Sequence, residues 1–348
     1  MKIITWLIFA ITLFLFASVY ISPEYFQYVG LLPFFIPIFL ILNLFLLVIL
    51  ILSWRKLSFL PLLALLIGYK FFLATFQIHP KNDEVVGLKV LTYNAHMFYY
   101  KPKSETTPES NVLSWLQDQP ADVKVFQEFY QDNTTPSRDA VKILGKNSNY
   151  KVSYHIIDGN PKKRSNGLAI FSKYPIINDG KVFDAQGTNG AIFADILVNS
   201  DTIRIYNAHL ESMRIATEGL ENLEGVKENY RQTLGKLQRG SLARSKQLKV
   251  LLEHMNNSPH PLILLGDLNE IPYSYTYFKL GENYENAFET AGRGFGFTYN
   301  RILFFLRIDH IFSSEKLKAV QFKTHREVDY SDHYPVSATF TWEGFGKK

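Results

Sequence analysis

The spacing of apolar positions divides the chain in two. Up to Pro80 they form three long runs, roughly Ile3 to Ile21, Leu31 to Ser53 and Phe59 to Ile78. Each is close to the ~20 residues that an α-helix needs to cross a ~30 Å hydrocarbon layer, and the middle run carries no charge at all. The pattern predicts three membrane-spanning helices within a membrane domain, 1–80. Lys70 lies well inside the third run and is expected to snorkel toward the interface. Beyond Pro80, after a polar connector at 81–84, short β-type runs alternate with amphipathic stretches, which predicts a second, α/β domain over 81–348.

Nine strands are predicted there, at 88–93, 123–127, 150–157, 167–172, 191–198, 202–208, 262–266, 307–312 and 336–342. All are rich in β-branched or aromatic residues and flanked by turn formers. Helices are predicted at Asn111 to Gln117 and at Ser241 to Met255, where Leu242, Leu248, Leu251 and Leu252 fall near one face. The polar stretch from Arg214 to Gly240 reads as an insertion, a solvated helix or loop.

Charge adds an orientation. Before Pro80 the basic residues are Lys2, Arg55, Lys56 and Lys70, against the single acid Glu24. Short cytoplasmic loops are enriched in Lys and Arg, and Lys2 and Arg55-Lys56 share one side of a three-span bundle. The expected topology is a multi-pass membrane protein with its amino terminus in the cytoplasm and everything after Ile78 outside it. The remainder is nearly balanced, with 33 basic and 31 acidic residues, whereas binding along nucleic-acid phosphates calls for clustered excess cation. The absence of cysteine excludes disulfides, thiolate metal sites and a Cys nucleophile.

The candidate chemistry sits where strands end. LTYN delivers Asn94; VKVFQE, Glu128; IRIYNAH, Asn207 and His209; LILLGDLN, Asp267 and Asn269; RIDH, Asp309 and His310; SDH, Asp332 and His333. Strand ends hold loop-mouth side chains in fixed geometry, and open α/β sheets gather ligand groups there. Glu128, Asp267, Asn269, Asp309 and Asp332 supply hard oxygen donors suited to Mg²⁺ or Mn²⁺. The imidazoles add hydrogen-bond donors and proton carriers near neutral pH. His96 and His310 read as packing or supporting residues, and Asn166-Gly167 as either a turn or a support for the site.

The ordered motifs TYNAH, QE, NGLAIFSKYPI, NAHLES, R(x2)Q, GDLNE, RIDHIF and SDHYPV resemble the endonuclease/exonuclease/phosphatase superfamily. Its branches include pancreatic-type deoxyribonucleases, apurinic endonucleases, neutral sphingomyelinases and inositol polyphosphate 5-phosphatases. The resemblance runs from Leu88 to Trp342. It implies a four-layer sandwich, two packed mixed β-sheets flanked by helices, here preceded by three transmembrane helices, with the site at one sheet edge. It further implies a Mg²⁺ ion on Glu128, Asn94 and Asp332. Asp267 and Asn269 would act on the attacking water and the phosphate. Asp309 would hold the His333 imidazole, with His209 on the phosphate and Asn166 and Asn207 in support. His209 matches the deoxyribonuclease and sphingomyelinase branches, where apurinic endonucleases carry Tyr.

The reaction so implied is metal-dependent hydrolysis of a phosphodiester, in nucleic acid or phospholipid, by in-line attack of an activated water. The lipid bilayer is the expected partner, and nucleic acid is a candidate substrate. A serine hydrolase is disfavoured because no GxSxG elbow occurs, and a zinc protease because HExxH is absent. The alternative reading is a non-catalytic, membrane-anchored module that binds a phosphorylated ligand.

Overall fold

A computed structural model describes residues 2–80, 85–98, 110–145, 149–185, 187–212, 223–301 and 303–345. The connector at 81–84 and residues 213–222 of the insertion lie outside them. In chain order the elements are α1 (Lys2–Ser18), α2 (Ile36–Leu52), α3 (Phe59–Ile67), α4 (Tyr69–Thr75), β1 (Gln77–Ile78), β2 (Leu88–Asn94), α5 (Ser110–Asp118) and β3 (Val123–Asp132). There follow α6 (Ala140–Leu144), β4 (Lys151–Gly159), β5 (Arg164–Ser172), β6 (Ile176–Asp184), β7 (Gly190–Val198), β8 (Asp201–His209), α7 (Leu223–Asn256) and β9 (Leu262–Asp267). The last are α8 (Tyr275–Leu280), β10 (Glu285–Asn286), α9 (Ala287–Ala291), β11 (Arg293–Gly294), β12 (Asp309–Ser313), β13 (Lys318–Thr324) and β14 (Val336–Thr341).

The described residues of 1–76, 213–246 and 271–282 form one compact unit, and those of 77–212, 247–270 and 283–348 the other. In the first, in place of the three expected full-length spans, the described residues hold one helix long and apolar enough to cross a membrane, or two if the bent pair α3–α4 counts as one. Val29–Leu52, a 3₁₀ turn running into α2, spans 24 residues with a mean hydropathy of 3.1, or about 36 Å at 1.5 Å per residue. α1 has only 17 residues, and the third run breaks into α3 and α4, which meet at 53°. The break falls at Gly68, where a Cβ would lie 2.6 Å from the Phe16 ring. Gly tolerates that approach and interrupts the helix, so hydropathy alone overstated continuity. The last residues of the third run, Gln77 and Ile78, are strand rather than helix. Within this unit Asn43 donates to Thr12 across α2 and α1 at 2.8 Å. Ile41, Phe45, Leu52 and Trp54 all point outward and are more than half exposed.

The second unit is built on two six-stranded mixed sheets, ordered β13-β14-β2-β3-β5-β4 and β10-β12-β9-β8-β7-β6. Their facing sides bury Leu88, Val90, Val123, Val125 and Ile170 against Ile192, Ile203, Ile205, Ile263, Leu265 and Ile311. The opposite side of the first sheet packs Leu91, Tyr93, Phe126 and Phe171 on Val112, Leu116 and Leu144 of α5 and α6. This is the alternation that a strand buried on both faces requires. On the far side of the second sheet, His254 of α7 accepts from the Tyr206 hydroxyl at Nδ1, 2.7 Å away, and lies against the Phe193 ring. The result is the expected α/β sandwich with helices outside two packed sheets.

All nine predicted strands form, as do both predicted helices; the second is the end of the longer α7, which covers the described part of the insertion. The strands not foreseen include β6 and β13. Both are sheet edges whose sequences, IINDGKVFD and KAVQFKT, carry a turn signature or alternating charge, the composition that keeps exposed edges from pairing further.

Away from the strand ends, Asp195 and Arg204 face each other across β7 and β8. The guanidinium grips the carboxylate through Nε at 2.6 Å and Nη2 at 2.8 Å, with both side chains almost wholly buried. Burial alone would raise the Asp195 carboxyl, but Arg204 and Asn178 outweigh it and hold it below the ordinary range. Asp195→Ala strands a buried cation, so a loss of about 3–5 kcal/mol is expected in thermal unfolding of the full chain. Because the folded carboxyl is the more acidic, its contribution is present above the unfolded value near pH 4 and fades as the pH falls below it. The gap between wild type and variant should narrow in acid.

Candidate active site

Three neighbouring strands of the second sheet end in a row of polar residues. Residue pairing sets His209 of β8 beside Asp267 of β9, and Asp267 opposite Asp309 of β12. Asp267 can end its strand this way because Gly266 precedes it with φ +149°, where a Cβ would lie 1.9 Å from the Ala208 carbonyl oxygen. After Asp267 the chain turns through Asn269 at φ +51°, and the Asn269 N–H returns to Asp267 Oδ1 at 2.8 Å.

The first sheet supplies the facing residues. β2 ends at Asn94, paired with Gln127 of β3. A bulge between Phe126 and Phe129 puts Glu128 at φ +48°, re-aiming its side chain out of the ladder. Asn94 Nδ2 then donates across to Asp267 Oδ2 at 3.0 Å. Ser331, just before Asp332 and His333, donates its hydroxyl to the Asn94 carbonyl at 2.8 Å.

These elements bring seven of the ten expected residues together. His333 Nδ1 donates to Asp309 Oδ2 at 2.9 Å, which leaves Nε2 facing Asp267 Oδ2 at 3.6 Å. His209 Nδ1 donates to the Thr188 carbonyl at 3.1 Å, so its Nε2 also faces inward, 3.6 Å from Asp267 Oδ2 and 3.9 Å from Glu128 Oε1. Asp332, at the mouth, completes the group with Glu128 and Asn94. Asn269 adjoins it, its amide donating to the Leu210 carbonyl at 3.1 Å.

The two supporting residues stand apart. Asn207 is buried between the sheets, donating to the Phe126 and Ala169 carbonyls and accepting from Gln127, so its place is as a tie. Asn166 lies on β5 opposite Tyr130, and no hydrogen bond or ion pair among the described residues joins it to the cluster.

His96 and His310, expected as packing or supporting residues, divide between the two roles. His310 is buried with Nε2 on the Glu270 carbonyl, and burial pushes its imidazole down to about 3, so it is the packing residue expected. His96 instead is half exposed, with Nδ1 3.3 Å from Asp332 Oδ1 and 3.9 Å from Glu128 Oε2. His96, Met97 and Phe98 all have positive φ, and Phe98 packs edge-on to Phe129, pinning the turn. The signal was the TYNAH motif itself, whose imidazole lies two residues beyond a strand-end Asn.

The electrostatics are those of crowded carboxylates held by imidazoles. Burial would lower His333, but Asp309 and Asp267 outweigh it and raise its imidazole well above the ordinary value. Burial likewise would raise Asp332, yet His96, His333 and Arg301 hold it well below the usual carboxylate range. Asp332 raises His96 in turn. Among the described residues, Asp267, Asp309 and His333 each offer a ligand atom within 4.8 Å of the others, and Asp309 Oδ1 is buried with no hydrogen-bond partner. Glu128 and Asp332, part-exposed around His96, add further carboxylate oxygens, the hard donors that fit a divalent cation.

The profile of the Endonuclease/Exonuclease/phosphatase family matches residues 91–333, and the chain belongs to that family. A domain of unknown function (DUF8431) matches residues 1–75. No curated protein matches the sequence. Among solved structures, the human nocturnin catalytic domain with bound sulfate is 17% identical, over 74% of this chain and 93% of its own, with a TM-score of 0.52. A family protein from Leptotrichia buccalis is 17% identical over 73% of this chain and all of its own, at 0.52. One from Beutenbergia cavernae is 17% identical over 73% and 71%, at 0.51. At this identity the likeness establishes the fold.

Gly266→Ala tests how the row is placed. Its Cβ has no room beside Ala208, and its φ is strained for any L side chain, so a destabilisation of about 2 kcal/mol or more is expected in thermal unfolding.

Proposed function

We propose that the chain is a bilayer-attached, divalent-metal-dependent phosphoesterase that hydrolyses a phosphodiester by in-line attack of water. The observation that carries this reading is the meeting of His209, Asp267, Asp309 and His333 with Asn94, Glu128 and Asp332, from two sheets, at one edge of the sandwich.

Glu128 and Asp332, with Asn94 beside them, would hold Mg²⁺ or Mn²⁺. When bound, the ion neutralises charge on a non-bridging phosphoryl oxygen. His333 Nδ1 donates to Asp309 Oδ2, and the imidazole, held protonated at both nitrogens by Asp309 and Asp267, keeps an Nε2 donor aimed inward for the phosphoryl group. Asp267 is then the proton acceptor for the attacking water, oriented by N–H donors from Asn94 and Asn269. His209 Nε2, fixed by the Thr188 carbonyl, reaches the same centre. Its imidazole, where other branches of the family carry Tyr, favours the deoxyribonuclease and sphingomyelinase side. The near-balanced charge after Pro80 disfavours long duplex DNA as substrate.

Bilayer attachment rests on Val29–Leu52, of which only 22% is buried. Exposed apolar surface of this kind is satisfied by lipid. With that one span Lys2 and Arg55-Lys56 fall on opposite sides of the bilayer, so the orientation with the amino terminus inside and the phosphoesterase outside is the one that the reporter below tests.

With bis-p-nitrophenyl phosphate and Mg²⁺, the full chain should release p-nitrophenol, and chelation should stop it. Asp267→Asn and His333→Gln are each expected to lower kcat by about a thousandfold. An unaffected rate in either variant refutes the assignment, and metal binding without turnover points to the ligand-binding module instead. A phosphatase reporter fused after Pro80 should be active only if that point lies outside the cytoplasm; a silent reporter reverses the topology.

A further inference from the structure

Phe304 and Phe305 are 64% and 52% exposed, on a turn whose base is stitched to the His333 segment and to the start of β12. Tyr299 forms a β-bridge with His333, and its ring meets the imidazole edge-on at 5.4 Å. The Asn300 N–H donates to the Asp332 carbonyl at 2.8 Å. Thr298 Oγ1 accepts from the Ile308 and Asp309 N–H groups at 3.1 and 3.2 Å. The turn closes through the Thr298 and Tyr299 N–H groups on the Leu306 carbonyl, and the Leu306 N–H on that of Leu303.

A tip so firmly based presents its rings to something outside the fold, since loose surface apolar residues need no such scaffold. One exposed guanidinium group accompanies it. Arg301, at the base, is already paired with Asp329, whereas the exposed Arg326 lies over Phe297, which stacks on the half-exposed Phe295. Exposed aromatic rings with an arginine beside them match a lipid surface, where rings enter the acyl boundary and a guanidinium group meets phosphates. Phe304 and Phe305 themselves meet edge to face, at 80°, so they do not form a parallel slot for a nucleobase.

We infer that the turn bearing Phe304 and Phe305 is an interfacial finger that enters the lipid acyl boundary, so that His333 meets phosphoesters carried at a lipid surface. This rests on the reading of the chain as bilayer-attached and adds the substrate class to it.

The chain has no cysteine, so single Phe304→Cys, Ile41→Cys and Lys162→Cys variants each accept one environment-sensitive nitrobenzoxadiazole label. The labelled full chain is reconstituted in phosphatidylcholine–phosphatidylglycerol vesicles with and without doxyl-labelled phosphatidylcholine. At position 304 the label should lose roughly half or more of its emission to the doxyl quencher, while at exposed position 162 it should lose none. Ile41, on the apolar helix, reports attachment separately. Quenching at 41 without quenching at 304 overturns the finger and leaves attachment standing. Quenching at 304 without 41 supports the finger and removes the spanning helix, and quenching at neither removes both. An unquenched label at 304, with Phe304→Ala slowing hydrolysis of a single-stranded oligonucleotide, would make the tip a base-stacking surface and overturn the proposal.

Discussion

The buried amide of Asn207 holds the two sheets in one register. It donates to carbonyls on β3 and β5 and accepts from Gln127, whose amide also reaches Thr92 on β2. All lie in a layer otherwise filled by Val, Ile and Leu, whose packing is non-directional and would tolerate small slips. Buried polar groups must be satisfied, so hydrogen-bonded amides in that layer penalise every register but one. Slippage by a single residue would turn alternate side chains to the opposite face. The row His209, Asp267 and Asp309 faces Asn94 and Glu128 because this tie permits no other alignment.

The site built on that alignment is locally unfavourable. Glu128, Asn269 and the His96–Phe98 turn adopt positive φ without being glycine, at a cost on the order of 1–3 kcal/mol each. Four carboxylates, Glu128, Asp267, Asp309 and Asp332, are crowded together, two of them nearly inaccessible. The strain is held by the core beneath, where Phe98, Phe126, Phe129 and Phe171 pack ring on ring. The charge is offset by imidazoles from three directions, His96, His209 and His333. A divalent cation has the sign and hardness to complete that balance, and stability and function draw on the same requirement.

What could be read in the sequence follows the strength of each physical constraint. Strands buried on both faces were legible because burial forces long β-branched runs. β6 and β13 were not, since a turn signature in one and alternating charge in the other mask their strand character, whereas β4, also an edge, carries a legible β-type run. GDLN and SDHYPV were legible because a glycine at φ +149° and a carboxylate-bound imidazole allow few substitutes. Which of the two roles His96 takes, packing or support, was not legible, because its position depends on three successive left-handed residues, which no local propensity favours. The continuity of the apolar runs before Pro80 was misread: composition measures apolar length, and only packing around Gly68 reveals that the third run bends.

The nearly even charge of the region after Pro80 bears on how any substrate gains affinity. A protein that tracks a polyanion spreads cations along a groove and loses affinity steeply as salt rises. Here the cationic groups at the candidate site are few, and several are already engaged with carboxylates: His333 with Asp309, His96 with Asp332, Arg301 with Asp329. Little electrostatic attraction remains for phosphates beyond the one at the centre. Binding energy must then come from a bound cation, from the short-range donors around that single phosphoryl group, and from apolar contact outside it. The exposed aromatic tip beside His333 offers contact of that last kind, which salt does not screen. Weak dependence of KM on ionic strength is therefore a consequence of the charge arrangement itself, whatever group the phosphoester links.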